Sequence, residues 1–134
     1  MAKRILLIED EKEMNFRLIN RLMEVYDVEL ARSIDAAINA VELSKAQVKE
    51  FDLIILDIMM SPGTHYTAEE TDEGMETGWV FYNDKLKDTS INVVIWTRNR
   101  DILNKPWGAN VVDKFIKSNE DDQLVDIAKK HIGE

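Results

Sequence analysis

The chain has 134 residues, the length of one ordinary domain, and its 45% hydrophobic and 32% charged content is that of a globular protein. A formal charge of −9, from 17 basic and 26 acidic residues, opposes direct nucleic-acid binding, because nonspecific affinity for a phosphate backbone comes from Lys and Arg displacing counterions. The absence of cysteine and of any long uncharged run excludes disulfides, thiolate zinc sites and a transmembrane or signal segment, so a single cytoplasmic domain over residues 1–134, without a membrane partner, is expected.

Arg4-Ile5-Leu6-Leu7-Ile8-Glu9-Asp10 is a short aliphatic run ending in carboxylates, the signature of a buried first strand. From Glu11 to Tyr26, Met14, Leu18, Leu22 and Val25 keep helical spacing, and Asp10 with Glu13 has the offset of a capping pair. Asp27 to Arg32 makes a weak second strand. Ser33 then caps a second helix, whose buried stripe is Ile34, Ala37, Ile38, Val41 and Val48. The third strand lies in Phe51-Asp52-Leu53-Ile54-Ile55-Leu56-Asp57, where four consecutive aliphatics call for cover on both faces, as in a parallel sheet between helices.

Ser61-Pro62-Gly63 breaks the chain, and the acidic, aperiodic segment up to Thr77 is expected to be a long mobile loop. Gly78 to Lys87 predicts a third helix with Trp79, Tyr82 and Leu86 on one side. Ile91 to Trp96 predicts a fourth strand ending at Thr97. Asp101-Ile102-Leu103 has room for a turn or two of helix before Pro106 and Gly108, and Trp107 beside them is expected at the surface. Val111 to Ile116 is the fifth strand, and Glu120 to His131 a last helix facing inward through Leu124, Ala128 and Ile132.

Five strands alternating with helices, joined by short right-handed crossovers, lead to an α/β doubly wound five-stranded parallel sheet of order 2-1-3-4-5, the flavodoxin-like arrangement. In that order the carboxyl ends of strands 1 and 3 flank the crevice where strand order reverses. Glu9, Asp10, Asp57, Thr97 and a lysine after strand 5 would then share one rim. Three carboxylates so close either take up protons or bind a cation, and oxygen-only ligands favour Mg2+, with Mn2+ an able substitute. The same rim can form an aspartyl phosphate, with Asp57 as nucleophile and the metal, a lysine and a hydroxyl neutralising the phosphoryl oxygens.

These residues resemble the receiver domains of two-component response regulators over nearly the whole chain. Arg4 to Glu11 is similar to the family's first strand and acidic pair, and Asp52 to Pro62 to its phosphoacceptor strand and following proline. Gly74-Met75-Glu76-Thr77-Gly78-Trp79 is similar to the entry to its third helix, Val93 to Thr97 to its fourth strand, and Phe115-Ile116-Lys117-Ser118 to its fifth-strand lysine. The resemblance implies that Asp57 is the phosphoacceptor, with Thr97 and Lys117 gathering the phosphoryl oxygens. Glu9, Asp10, Asp57 and the Met59 backbone carbonyl would bind Mg2+. It further implies a free-standing receiver, a monomer or weak dimer, served by a histidine kinase or phosphotransfer protein and acting on an unidentified downstream protein.

The sequence departs from the family in its long acidic loop, in Arg98 after Thr97, in Ser118 after Lys117, and in the placing of Lys114 and Phe115 where one switch aromatic is expected. Lys114 is a rival for the lysine role; spacing from Thr97 and to Leu124 favours Lys117. Plainer roles stand beside these. Asp10 and Thr97 can cap the segments that follow them, Asp57 can cap a turn, a lone lysine is usually solvated, and His65 and His131 call for no metal. Two rival functions follow: a phosphorylation-independent binding module, and a phosphatase or mutase. The latter ranks last, since those enzymes place a second acid where Met59 stands.

Overall fold

The structure, a computed structural model, describes residues 3–11, 15–47 and 50–133. Five strands, β1 (Arg4–Ile8), β2 (Asp27–Ala31), β3 (Leu53–Leu56), β4 (Val93–Thr97) and β5 (Val111–Ile116), form one parallel sheet in the order β2-β1-β3-β4-β5. Among the described residues, four α-helices accompany them: α1 (Phe16–Val25), α2 (Ile34–Gln47), α3 (Thr77–Phe81) and α4 (Gln123–Ile132). The expected topology is therefore the observed one. Among the described residues, no helix is long and apolar enough to cross a membrane.

Alternation along the strands sends side chains to two cores. Leu6, Ile8, Ile54, Leu56, Val93 and Ile95 pack with residues of α2 and α3, while Ile5, Leu7, Leu53, Ile55, Val94 and Trp96 pack with α1 and α4. β3 contributes to both, which is why it shows no polar alternation and why all four of its residues are inaccessible to water.

Several boundaries differ from the sequence expectation. β1 stops at Ile8, leaving Glu9 and Asp10 beyond the strand. The α1 described here starts at Phe16, too far along for Asp10 to cap it. Met14, the Asp10–Glu13 pair and Val48 involve positions outside the described residues. Val25 is 38% exposed rather than part of the stripe, because Tyr26 completes the buried row of Leu18, Ile19 and Leu22 and donates its hydroxyl to the Gly133 carbonyl at 2.5 Å. Ser33 does cap α2, its Oγ accepting from Ala36 N at 3.1 Å.

The third helix begins at Thr77, and after Phe81 it widens into a π turn over Tyr82–Leu86, with Lys87 N donating to the Tyr82 carbonyl at 2.9 Å. Between β4 and β5 the chain makes only a 3-10 helix, Arg100–Asn104, which ends just before Pro106. Trp107 is half-buried rather than superficial. Its ring meets Trp79 edge-on at 4.8 Å and Tyr82 at 5.1 Å, and its Nε1 donates to the Ile102 carbonyl at 3.1 Å.

The acidic segment before α3 is a fastened series of turns rather than a structureless loop. Thr64, through both N and Oγ1, donates to the Asp35 carboxylate, and His65 Nδ1 lies 3.0 Å from Asp35 Oδ1. Thr67 and Glu70 bond each other's backbone N–H groups, a reciprocal capping box. Thr71 is wholly buried, and Thr77 Oγ1 donates to the Met60 carbonyl at 2.6 Å. Gly74, at φ +90°, lies so close to the Met60 carbonyl oxygen that an added Cβ would be 2.9 Å from it.

Candidate functional site

Strand register builds the site. Ile8 pairs with Leu56, Leu56 with Ile95, and Thr97 with Ile116, so β1, β3, β4 and β5 end nearly level. The residues just past those ends are tied to neighbouring strands through their backbones: Glu9 N donates to Ala31 O, Asp57 N to Ile8 O and Lys117 N to Thr97 O, at 3.0, 3.1 and 2.9 Å. Glu9, Asp57, Thr97 and Lys117 are all buried at this rim, and Asp10 is exposed beside them.

A single ammonium serves two carboxylates. Lys117 Nζ lies 2.5 Å from Glu9 Oε2 and 2.9 Å from Asp57 Oδ2, and 4.7 Å from the centroid of the Trp96 ring. Glu9 is further held by Asn15 Nδ2 at 3.3 Å and by the N–H of Glu11, which donates to Oε1 at 2.9 Å. Asp57 Oδ1 is different: it is buried and has no hydrogen-bond partner. Such an orphan costs free energy unless something else satisfies it. Asp57 also lines a cavity of about 20 Å³ with Glu11, Met59, Arg98 and Lys117, room for about one water. Wider grooves lie elsewhere, one beside Asn15 and Ser118 and one beside Phe115 and Lys130, and neither is lined by Asp57.

Burial, reinforced by the nearby Glu9 charge and only partly offset by Lys117, pushes the Asp57 carboxyl from its ordinary 3.8 up to about 7. Asp10 is raised as well, first by burial and then by Glu9 and Glu11. For Lys117, burial alone would depress the ammonium, but the Asp57 and Glu9 carboxylates outweigh it and the net shift is upward. The cluster is short of positive charge.

A hard cation would meet that shortage. Glu9, Asp10 and Asp57 each offer a carboxylate oxygen, all within 4.8 Å of one another, and the partnerless Oδ1 is among those available. Oxygen donors of this kind suit Mg2+ or Mn2+. Glu9 is the least free of the three, because its oxygens are already engaged by Lys117, Asn15 and Glu11.

Lys114, the rival lysine, is exposed on β5 and donates to the Leu103 carbonyl at 3.2 Å, away from this cluster. Thr97 Oγ1 accepts from Asn99 N at 3.2 Å, so it does cap the following turn while its own proton stays available. His65 belongs to the Asp35 clasp, and His131 lies 3.0 Å from Asp113 Oδ2.

Sequence reasoning missed three supports of the rim. Gly78 packs against the tail of β3, where a Cβ would fall 2.6 Å from the Asp57 carbonyl oxygen and 2.7 Å from Ile58 Cα. Gln123 accepts from Trp96 Nε1 and Ser118 N and donates to the Ile116 carbonyl, so it pins the turn that carries Lys117. Asn15 steadies Glu9. Only Gly78 carried a visible signal, as a glycine opening a helix.

No family model and no curated protein matches the chain. Solved structures do. The BeF3-activated N-terminal receiver domain of Klebsiella pneumoniae RstA superposes with a TM-score of 0.68 at 23% identity, covering 98% of this chain and 100% of that one. This chain has the receiver fold. A two-component response regulator from Clostridium difficile gives 0.65 at 24% identity, covering 97% and 95% of the two chains. Response regulator TrrA of Thermotoga maritima, in complex with Mg(2+)-BeF, gives 0.64 at 22%, covering 97% and 99%. In the receiver fold as this chain builds it, the acid–lysine cluster sits at the carboxyl ends of the central strands, where open α/β sheets place their ligands.

Proposed function

We propose that the chain is a phosphoacceptor receiver. Asp57 takes a phosphoryl group from a phosphohistidine on a histidine kinase or phosphotransfer protein, and the phosphorylated form changes its affinity for a downstream protein. The observation that carries this reading is Asp57 itself: a buried carboxylate with one oxygen on Lys117 and the other unpartnered, beside a cavity it lines. In the transfer, an Asp57 oxygen bonds to phosphorus as the phosphorus–nitrogen bond breaks, and the electron pair returns to the donor imidazole.

The reading assigns Lys117 and the Thr97 hydroxyl to phosphoryl oxygens. Glu9, Asp10, Asp57 and the Met59 backbone carbonyl would hold Mg2+, or Mn2+ in its place. When bound, the ion supplies neutralisation of phosphoryl charge and relieves the repulsion among the acids. The Mg(2+)-BeF complex of TrrA and the BeF3 activation of RstA support this choice of chemistry. One phosphoryl is consumed per protein, so the domain is a signalling element rather than a turnover enzyme.

Incubation with phosphoramidate and Mg2+, followed by intact mass, tests the proposal. Wild type gains one phosphoryl and Asp57→Asn none; no gain by wild type, or an equal gain by the variant, refutes it. Arg98, paired with Glu11 at the cavity, favours one alternative, a binding module that does not use phosphate. That alternative requires partner binding to be indifferent to Asp57→Asn.

A further inference from the structure

The cavity beside Asp57 has two lining residues that the proposed phosphoryl chemistry leaves without a task. Glu11 follows β1 and Arg98 follows β4, the two strands that flank β3, and Arg98 Nε lies 3.7 Å from Glu11 Oε2. Both side chains are nearly half exposed, so their pairing is cheap to break. Their backbones are nonetheless anchored to the buried cluster. Glu11 N donates to Glu9 Oε1 at 2.9 Å, and Asn99 N, just after Arg98, donates to Thr97 Oγ1 at 3.2 Å.

Resting on the phosphoacceptor reading, we infer that Arg98 is a further phosphoryl-holding residue, kept on Glu11 until a phosphoryl group forms on Asp57. It then leaves Glu11 for a phosphoryl oxygen and shields the phosphorus from water. Lys117 is already shared between Glu9 and Asp57, and Arg98 is the other cationic residue lining the cavity. A phosphoryl group brings about two negative charges and several strong acceptors, and a guanidinium fork suits such oxygens better than one exposed carboxylate does.

Loss of the phosphoryl requires a water oxygen to bond to phosphorus. The bond to the Asp57 oxygen breaks, its electron pair returns to the carboxylate, and the water's proton leaves with phosphate or solvent. The cavity has space for about one such water. A guanidinium drawn onto the phosphoryl from the cavity wall takes up that approach.

The test loads wild type, Arg98→Ala, Arg98→Lys, Glu11→Gln and the Glu11→Gln/Arg98→Ala double variant with phosphoramidate and Mg2+. Donor and metal are then removed, and phosphoryl loss is followed by intact mass, with a thermal melt of each protein. Arg98→Ala should lose the group about 3- to 10-fold faster than wild type, as expected for one charge-assisted hydrogen bond. Arg98→Lys should fall between, and Glu11→Gln should hold the group longer. The double variant should behave as Arg98→Ala does, because Glu11 acts only through Arg98. An Arg98→Ala protein that melts normally yet retains no measurable phosphoryl, where Arg98→Lys retains some, is the same result at its extreme.

An unchanged or slower loss in Arg98→Ala overturns the inference. So does an effect of Glu11→Gln as large without Arg98 as with it. If wild type accepts no phosphoryl, the receiver reading itself falls; if wild type loads and Arg98→Ala matches its lifetime, only this inference does.

Discussion

The buried Asp57 should make the metal-free protein lose stability as pH rises, and Asp57→Asn should remove that loss. The folded state raises its pKa from an ordinary 3.8 to about 7. At about 1.4 kcal/mol for each tenfold change in proton affinity, this is about 4 kcal/mol over the full titration. The sign follows from proton counting. Between these two values the folded chain holds a proton on Asp57 that the unfolded chain has released, so folding is favoured at the acidic end and the advantage disappears as pH climbs through about 7.

Between pH 5 and pH 8 the contribution that disappears is about 2 to 3 kcal/mol. An asparagine keeps the shape and does not titrate. Asp10 is raised first by burial and then by Glu9 and Glu11, and all three causes are present in both proteins. Urea unfolding followed by circular dichroism, at constant ionic strength with EDTA present, reads the comparison. The stability of Asp57→Asn relative to wild type should rise by about 2 to 3 kcal/mol from pH 5 to pH 8, equivalent to about 5–10 °C in melting temperature. A relative stability that stays level or falls across that range would refute the reasoning, because Asp57 would then be ionised at no cost in the fold.

Three further outcomes are expected. Mg2+ at a 100-fold excess over its Kd should stabilise wild type by about 3 kcal/mol and perturb Trp96 fluorescence, and Asp10→Ala should abolish both effects; a titration of melting temperature and emission against Mg2+ decides it. Gly78→Ala should cost about 1–3 kcal/mol in urea unfolding, since the new Cβ meets the Asp57 carbonyl and Ile58 Cα, neither of which a rotamer change can move aside. Gln123→Ala should cost about 1–3 kcal/mol by leaving the Trp96 and Ser118 N–H groups without their acceptor, with faster amide exchange at Ser118 as its local signature.

The fold was legible because β1, β3 and β4 are compact apolar runs that end at or just before a polar residue, and β3 and β5 begin or end where their aliphatic pattern does. The rim was legible for the same reason. Parallel strands of similar length bring their last residues level, so reading strand ends in sequence amounts to reading neighbours in space. The acidic segment was misread because its restraints are long-range. Asp35, 29 residues before Thr64, fastens it, and a buried Thr71 hydroxyl looks no different in sequence from a solvated one. The Thr67–Glu70 box was a local signal that the surrounding acids obscured. Trp107 was misplaced for a related reason: its partners Trp79 and Tyr82 come from another element, and nothing beside Pro106 announces them.

Charge counting links the cluster to its proposed use. Three carboxylates, Glu9, Asp10 and Asp57, face one ammonium, Lys117, and with all of them ionised the site is two negative charges in excess. Protonation of Asp57, which burial favours first and the Glu9 charge second, relieves half of that excess; a divalent cation would relieve all of it, and a monovalent one could not. Phosphorylation of Asp57, as proposed, would add about one further negative charge. On the proposed reading Lys117, shared with Glu9, meets only part of that charge, and Arg98, which lines the same cavity, is placed to meet the rest. An apolar strand such as Leu53–Leu56, whose burial contributes roughly 6–12 kcal/mol gross, can tolerate an ionisable group at its end that costs about 4 kcal/mol when charged. A residue serving packing alone would have no reason to stand there with an oxygen left unpartnered.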